Sequence, residues 1–210
     1  MEAIEIIKSY KLVPVVQIKK LEDTLPTMGA LLSGGLPIAE ITFRTECAPE
    51  ALRLACGKFP DMLIGAGTVI SSQQAKVAID AGASFIVSPG FSPKIAELCA
   101  NERIPYVPGC VTPTEITAAL EYGITLVKFF PAENYGGLDT IKALSAPFKD
   151  VLFLPTGGIN EKNLLTYLSF PKVAAIGGSF MMKGSYDEIA LKCKAAINLV
   201  KSLDENPTVL

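Results

Sequence analysis

Histidine is absent from all 210 residues. That omission removes the commonest general base and the commonest transition-metal ligand together. Acid–base chemistry in this chain therefore falls to carboxylates, lysine, tyrosine, cysteine or water. Other absences narrow the field further. No apolar run reaches the length of a membrane span. The opening MEAIEIIKSYKLVPVV lacks the basic, apolar and small-residue order of a signal peptide. The formal net charge is −2 and no basic stripe is visible, so neither nucleic acid nor a membrane surface is an expected partner. The five cysteines, Cys47, Cys56, Cys99, Cys110 and Cys193, form no C-x-x-C pair, and their odd number leaves at least one unpaired. A cytoplasmic, reducing setting is the expectation.

Half of the residues are apolar, enough for one well-filled core and short for two domains. Short apolar or β-branched runs recur: LVPVVQI from 12, IAEITF from 38, MLIGAG from 62, FIVSPG from 85, IPYVPG from 104, TLVKFF from 125, VLFLPTGG from 151 and VAAIGGS from 173. Helix-like spacing follows each run. In VTPTEITAALEYG, Thr112 reads as N-cap, Pro113 as the first helical residue, Glu115 as the capping-box partner and Gly123 as the stop. Eight such units of roughly 20 to 26 residues, without a linker, predict one domain over residues 1–210. The predicted architecture is α/β, a closed (β/α)8 TIM barrel, with EAIEIIKSY as an extra helix covering its bottom.

A barrel gathers the C-terminal ends of its strands at one mouth. Those ends carry Glu40 with Arg44, then Thr68, Pro89, Cys110, Lys128, Thr156 with Gly157 and Gly158, and Gly178 with Ser179. Lys128 lies inside the apolar stretch ITLVKFF. The plain alternative is a lysine that snorkels to water from a strand end. A strand buried on both faces leaves little water to reach, and desolvation would favour the free amine that attacks carbonyls. Glu40 has its own plain alternative, a salt bridge to Arg44. As a proton carrier beside Lys128, it would leave Arg44 free to bind a substrate carboxylate through its planar fork. The PTGGI and IGGSF stretches read as two double-glycine turns at the strands that hold phosphate in many barrels.

The order and spacing of AEITFRTE, GAGTV, SPGF, VPGCVTPTE, VKFFPAE, PTGGI and IGGS resemble the 2-keto-3-deoxy-6-phosphogluconate aldolases, which also act on 4-hydroxy-2-oxoglutarate. The resemblance covers roughly residues 10 to 200 and departs from the family pattern at Cys110 and Val111. It implies a metal-free class I aldolase without cofactor, a homotrimer that takes a phosphorylated 2-keto acid. By the same resemblance Lys128 is the Schiff-base lysine and Glu40 the proton carrier. Arg44 and Thr68 hold the pyruvyl end, while Pro89, Phe130 and Thr156 line the pocket. Gly157, Gly158, Gly178 and Ser179 form the phosphate site. Alternatives that the residues leave open are the galactonate-specific aldolase, a pyridoxal-phosphate enzyme and a non-catalytic sugar-phosphate-binding barrel.

Overall fold

Each of the eight apolar runs contains a strand. A computed structural model describes residues 3–205; the C-terminal residues 206–210, part of a tail expected to be exposed, lie outside the described residues. The strands are β1 Leu12–Val16, β2 Ile38–Thr42, β3 Leu63–Gly67, β4 Ile86–Val87, β5 Tyr106–Val107, β6 Leu126–Phe129, β7 Leu152–Pro155 and β8 Ile176–Gly178. The helices are α1 Ala3–Tyr10, α2 Thr24–Ser33, α3 Ala48–Lys58, α4 Ser72–Asp80, α5 Pro93–Glu102, α6 Pro113–Glu121, α7 Gly137–Ser145, α8 Leu164–Leu168 and α9 Tyr186–Glu205. Every residue of β2 and β3 is buried, as expected of parallel strands covered on both faces. They pair in parallel from Ile38–Leu63 to Thr42–Gly67.

The expectation of a closed, eight-stranded (β/α)8 TIM barrel is corrected by the strand pairing. One six-stranded sheet runs β5-β4-β3-β2-β1-β8, and β6 and β7 form a separate pair. The fold is a curled parallel α/β arrangement with two seams. At the first, Gly109 and Lys128 make one isolated bridge, in which the Lys128 N–H donates to the Pro108 carbonyl at 2.8 Å. Pro108 has no N–H to donate, and β5 is only two residues long, so the ladder stops there. At the second, bridges join Phe153 to Val173 and Thr156 to Gly177. The second bridge stands one residue out of register with the first, which prevents a continuous ladder.

Local signals act largely as the residues predict. The Thr112 and Glu115 capping box forms, with Pro113 opening α6 and Gly123 at φ +72 just beyond it. Ser71 caps α4 by accepting from the Gln74 N–H at 3.2 Å. Helix α1 buries Ile7, and its Ile4 shares a cleft with Tyr106 and Leu126 while Ile6 shares another with Pro37 and Leu63. Those neighbours mark the N-terminal ends of strands, where the extra helix was expected.

The buried thiols make a pH prediction. Burial pushes Cys99 and Cys110 up to about 12, and Cys56 and Cys193 up to about 11, from 9.0. For Cys110 the Glu115 charge adds to burial; for Cys56 a backbone hydrogen bond opposes it. The folded chain thus keeps protons that the unfolded chain releases once pH passes 9.0. This contribution to stability is full below that pH and is lost as pH rises toward 11 to 12. Denaturant midpoints should fall steeply between pH 9 and 11, and a flat profile would contradict the burial argument.

Candidate active site

Strand β6 is buried at all four positions, including Lys128, which is only 4% exposed. Its Nζ lies 3.1 Å from Oε1 of Glu40, itself fully buried on β2. Lysine and glutamate are rarely buried this deeply unless paired, because the desolvation of each charge is costly. Both plain alternatives therefore give way: Lys128 does not reach solvent, and the ion-pair partner of Glu40 is Lys128 rather than Arg44. The second carboxylate oxygen, Oε2, is buried without a hydrogen-bond partner among the described residues. Leaving such an acceptor unsatisfied costs about 1–3 kcal/mol or more, a strain that a hydroxyl or water brought to it would relieve. The Lys128 Nζ also lies 5.5 Å from the centre of the Phe130 ring, within cation–π range. Phe129, by contrast, is fully buried in the core.

The glutamate reaches Lys128 across a glycine. A Cβ at Gly67 would come within 2.1 Å of Glu40 Oε1, and the backbone there is held by the pairing of Thr42 with Gly67. Gly67→Ala should therefore push the carboxylate off the amine. Misplacing a catalytic group by about 1 Å can cost on the order of 10²-fold. We expect a loss of that size with an unaltered circular dichroism spectrum; wild-type turnover in this variant would remove Gly67 from the account.

Arg44 and Thr68 meet, the Arg44 Nε donating to Thr68 Oγ1 at 3.1 Å. Thr68 stands at φ +57, in the left-handed region that a β-branched residue seldom adopts. Such a conformation costs on the order of 1–3 kcal/mol and persists only where its surroundings over-determine it. Pro89 is exposed after β4, and its carbonyl lies so close to Gly109 that a Cβ there would meet it at 2.0 Å. Phe130 is half-buried, and Thr156 is buried. The Thr156 N–H donates to the Phe129 carbonyl at 2.9 Å and its carbonyl accepts from the Ala132 N–H at 2.8 Å. Thr156, just beyond β7, thereby holds both ends of the segment that follows Lys128.

The two double glycines differ in kind. Gly157 and Gly158 form the expected turn, at φ +97 and +83. Gly177 and Gly178 do not: both belong to β8 and pair with Val13 and Pro14. Their lack of a side chain serves close approach. A Cβ at Gly177 would lie 2.3 Å from Thr156 Oγ1, and one at Gly178 would lie 2.7 Å from the Phe180 ring. The chain turns only at exposed Ser179, before a 3-10 turn over Phe180–Met182. The Thr156–Gly177 bridge still makes the Gly157–Gly158 turn and Ser179 neighbours.

Sequence reasoning passed over the side chains that tie these loops together. Tyr167 on α8 donates a short hydrogen bond to Glu133, and burial, then the Glu133 bond, raises the tyrosine well above its ordinary range. Glu133 was visible within VKFFPAE, but nothing local to it signals a partner 34 residues away. Among the described residues, no group of three or more His, Cys, Asp or Glu side chains stands ready for a metal ion. No described helix is long and apolar enough to cross a membrane. The assembled chemistry is a buried amine beside a carboxylate with one unpartnered oxygen among the described residues.

Known proteins resemble this chain in sequence and in fold. The family model described as "Aldolase: KDPG and KHG aldolase" matches residues 3–204. A 2-dehydro-3-deoxy-phosphogluconate aldolase of Haemophilus influenzae is 42% identical over 206 residues, spanning 95% of this chain and 97% of the relative. The enzyme of the same name from Treponema pallidum is 45% identical over 178 residues, 85% of each chain. Among solved structures, a KDPG aldolase from Legionella pneumophila superposes with a TM-score of 0.89 at 39% identity, covering 93% of this chain and 98% of its own. That structure holds pyruvate captured at low pH as a covalent carbinolamine intermediate.

Proposed function

This chain belongs to the KDPG and KHG aldolase family, and from that premise we propose that it is a metal-independent class I aldolase. The substrate in this reading is 2-keto-3-deoxy-6-phosphogluconate, cleaved to pyruvate and D-glyceraldehyde 3-phosphate, with 4-hydroxy-2-oxoglutarate as a second substrate. The observation that carries it is the buried Lys128–Glu40 pair at 3.1 Å. The galactonate epimer is the lesser substrate, because the relatives at 42% and 45% identity are phosphogluconate enzymes.

The chemistry follows from the groups present. Glu40 Oε1 takes a proton from Lys128, whose Nζ lone pair attacks the C2 ketone to give a carbinolamine. Glu40 returns that proton to the carbinolamine hydroxyl, which leaves as water and gives a protonated imine, an electron sink for the neighbouring carbon–carbon bond. Glu40, directly or through a water, removes the proton of the C4 hydroxyl. The C3–C4 bonding pair then moves toward the imine, releasing the aldehyde and leaving an enamine. Protonation at C3 and hydrolysis free pyruvate and restore the amine. Arg44 and Thr68 orient the substrate carboxylate, and Pro89, Phe130 and Thr156 confine the reacting carbons. Gly157, Gly158, Gly178 and Ser179 take the phosphate, whose binding energy can hold the hydroxyl against its base.

The test is cleavage of the two epimeric phosphorylated keto acids, with pyruvate release measured before and after exhaustive chelation. Turnover of the gluconate epimer that survives chelation is expected. Turnover lost to chelation and restored by a divalent ion would overturn the metal-independent mechanism, and preference for the galactonate epimer would reassign the substrate. The reading extends to a homotrimer of single-domain subunits, which light scattering of the purified protein checks. A reducing cytoplasmic setting fits the five cysteines, all of them free thiols.

A further inference from the structure

Both carbonyls of the Gly157–Gly158 turn are taken by other groups. The Gly157 carbonyl accepts from the Glu133 N–H at 3.2 Å. The Gly158 carbonyl accepts twice, from Asn160 Nδ2 at 3.0 Å and from Asn163 Nδ2 at 3.1 Å. A trans peptide is planar, with its N–H directed opposite to its C=O. Fixing these carbonyls therefore fixes the direction of the Gly158 and Ile159 N–H groups, each opposite to the carbonyl of its own peptide. Neither amide has a hydrogen-bond acceptor among the described residues. Successive amides left open in this way form an anion-binding concavity.

The two asparagines are themselves locked. Asn163 Oδ1 accepts from the Asn160 N–H at 2.8 Å, and Asn160 Oδ1 accepts from the Lys162 N–H at 2.9 Å. The Leu164 N–H closes on the Asn160 carbonyl at 3.0 Å, which joins the asparagines to the start of α8. Each side chain thus has its oxygen fixed by backbone and its amide aimed at one carbonyl. Two donors on one acceptor exceed what a surface turn needs for solvation, since water would satisfy an exposed carbonyl equally well.

We propose that Asn160 and Asn163 are positioning residues that set the affinity of this aldolase for the phosphate end of its substrate. They touch neither the reacting carbons nor the phosphate; they hold the Gly158–Ile159 peptide in the orientation that presents its N–H. The proposal rests on the aldolase reading above, in which the same turn receives the phosphate. It adds that selection of phosphorylated over unphosphorylated substrates is controlled from the segment that leads into α8.

The experiment compares wild type, Asn160→Ala, and Asn160→Ala/Asn163→Ala on three readouts. These are kcat and KM for the phosphorylated substrate, kcat/KM for 4-hydroxy-2-oxoglutarate, and competitive inhibition by inorganic phosphate. Losing both donors should raise KM for the phosphorylated substrate about tenfold or more and weaken phosphate inhibition by a similar factor. That factor corresponds to about 1.4 kcal/mol. Turnover number and activity on the unphosphorylated substrate should change less than about twofold. The single variant keeps the Asn163 bond and should show a smaller shift in the same direction, and it serves if the double variant does not fold. Equal loss on both substrates, or unchanged phosphate inhibition, overturns the proposal. Phosphate binding followed by calorimetry needs no turnover, so a wild type inactive on these substrates would sink the aldolase reading separately.

Discussion

Lys128→Ala should abolish aldol cleavage, with a rate loss on the order of 10⁴-fold or more, about 5.5 kcal/mol in activation free energy. Lys8, Lys20, Lys76 and Lys142 make their ion pairs at far more exposed positions than Lys128. The alanine variant also leaves Glu40 buried without its cation, a change that typically costs about 3–5 kcal/mol of stability. Lys128→Arg is therefore the sharper probe, because it keeps a cation for Glu40 and cannot form an imine. Borohydride with pyruvate should add one covalent adduct to the wild type, mapped to Lys128 by peptide mass, and none to either variant. An adduct on another lysine would overturn the assignment, as would an active arginine variant.

Glu40→Gln is the second large effect. Glutamine has nearly the same shape and can still sit beside Gly67, but it cannot take a proton. General acid–base groups contribute roughly 10²–10⁴-fold, and a loss in that range is expected in cleavage. In the proposed mechanism Glu40 also serves imine formation, so borohydride trapping of pyruvate should slow in this variant but remain detectable. Exchange of the pyruvate methyl protons with deuterated solvent, which requires a base at C3 of the imine, should slow in parallel with cleavage. Wild-type exchange together with wild-type cleavage would reduce Glu40 to a counter-ion.

Much of the site could be read from the residues, and the reasons are local. Lys128 was conspicuous because a charge within ITLVKFF contradicts its surroundings, and the pairing with Glu40 resolves that contradiction. The capping box at Thr112 was legible because its partners lie three residues apart. What escaped depends on partners far apart in the chain. The Gly177–Gly178 pair looked like a turn, yet the reason for these glycines is the approach of Thr156 and Phe180 to a strand. Barrel closure failed for a related reason. Eight runs specify eight strands, but whether neighbours join by ladders depends on register and strand length. Two-residue strands with a following proline, and a one-residue slip between Phe153 and Thr156, are settled only by tertiary pairing.

The seams give the Lys128–Glu40 pair an unusual mechanical position. Glu40 belongs to the six-stranded sheet and Lys128 to the two-stranded one, so their ion pair spans two bodies rather than neighbouring rungs of one ladder. One bridge joins the smaller body to the larger sheet on one side and two out-of-register bridges join it on the other, and isolated bridges yield more readily than a continuous ladder. In the proposed reaction Lys128 becomes a carbinolamine and then an imine, so the atoms facing Glu40 would change across a seam between two sheets and not within one hydrogen-bonded ladder.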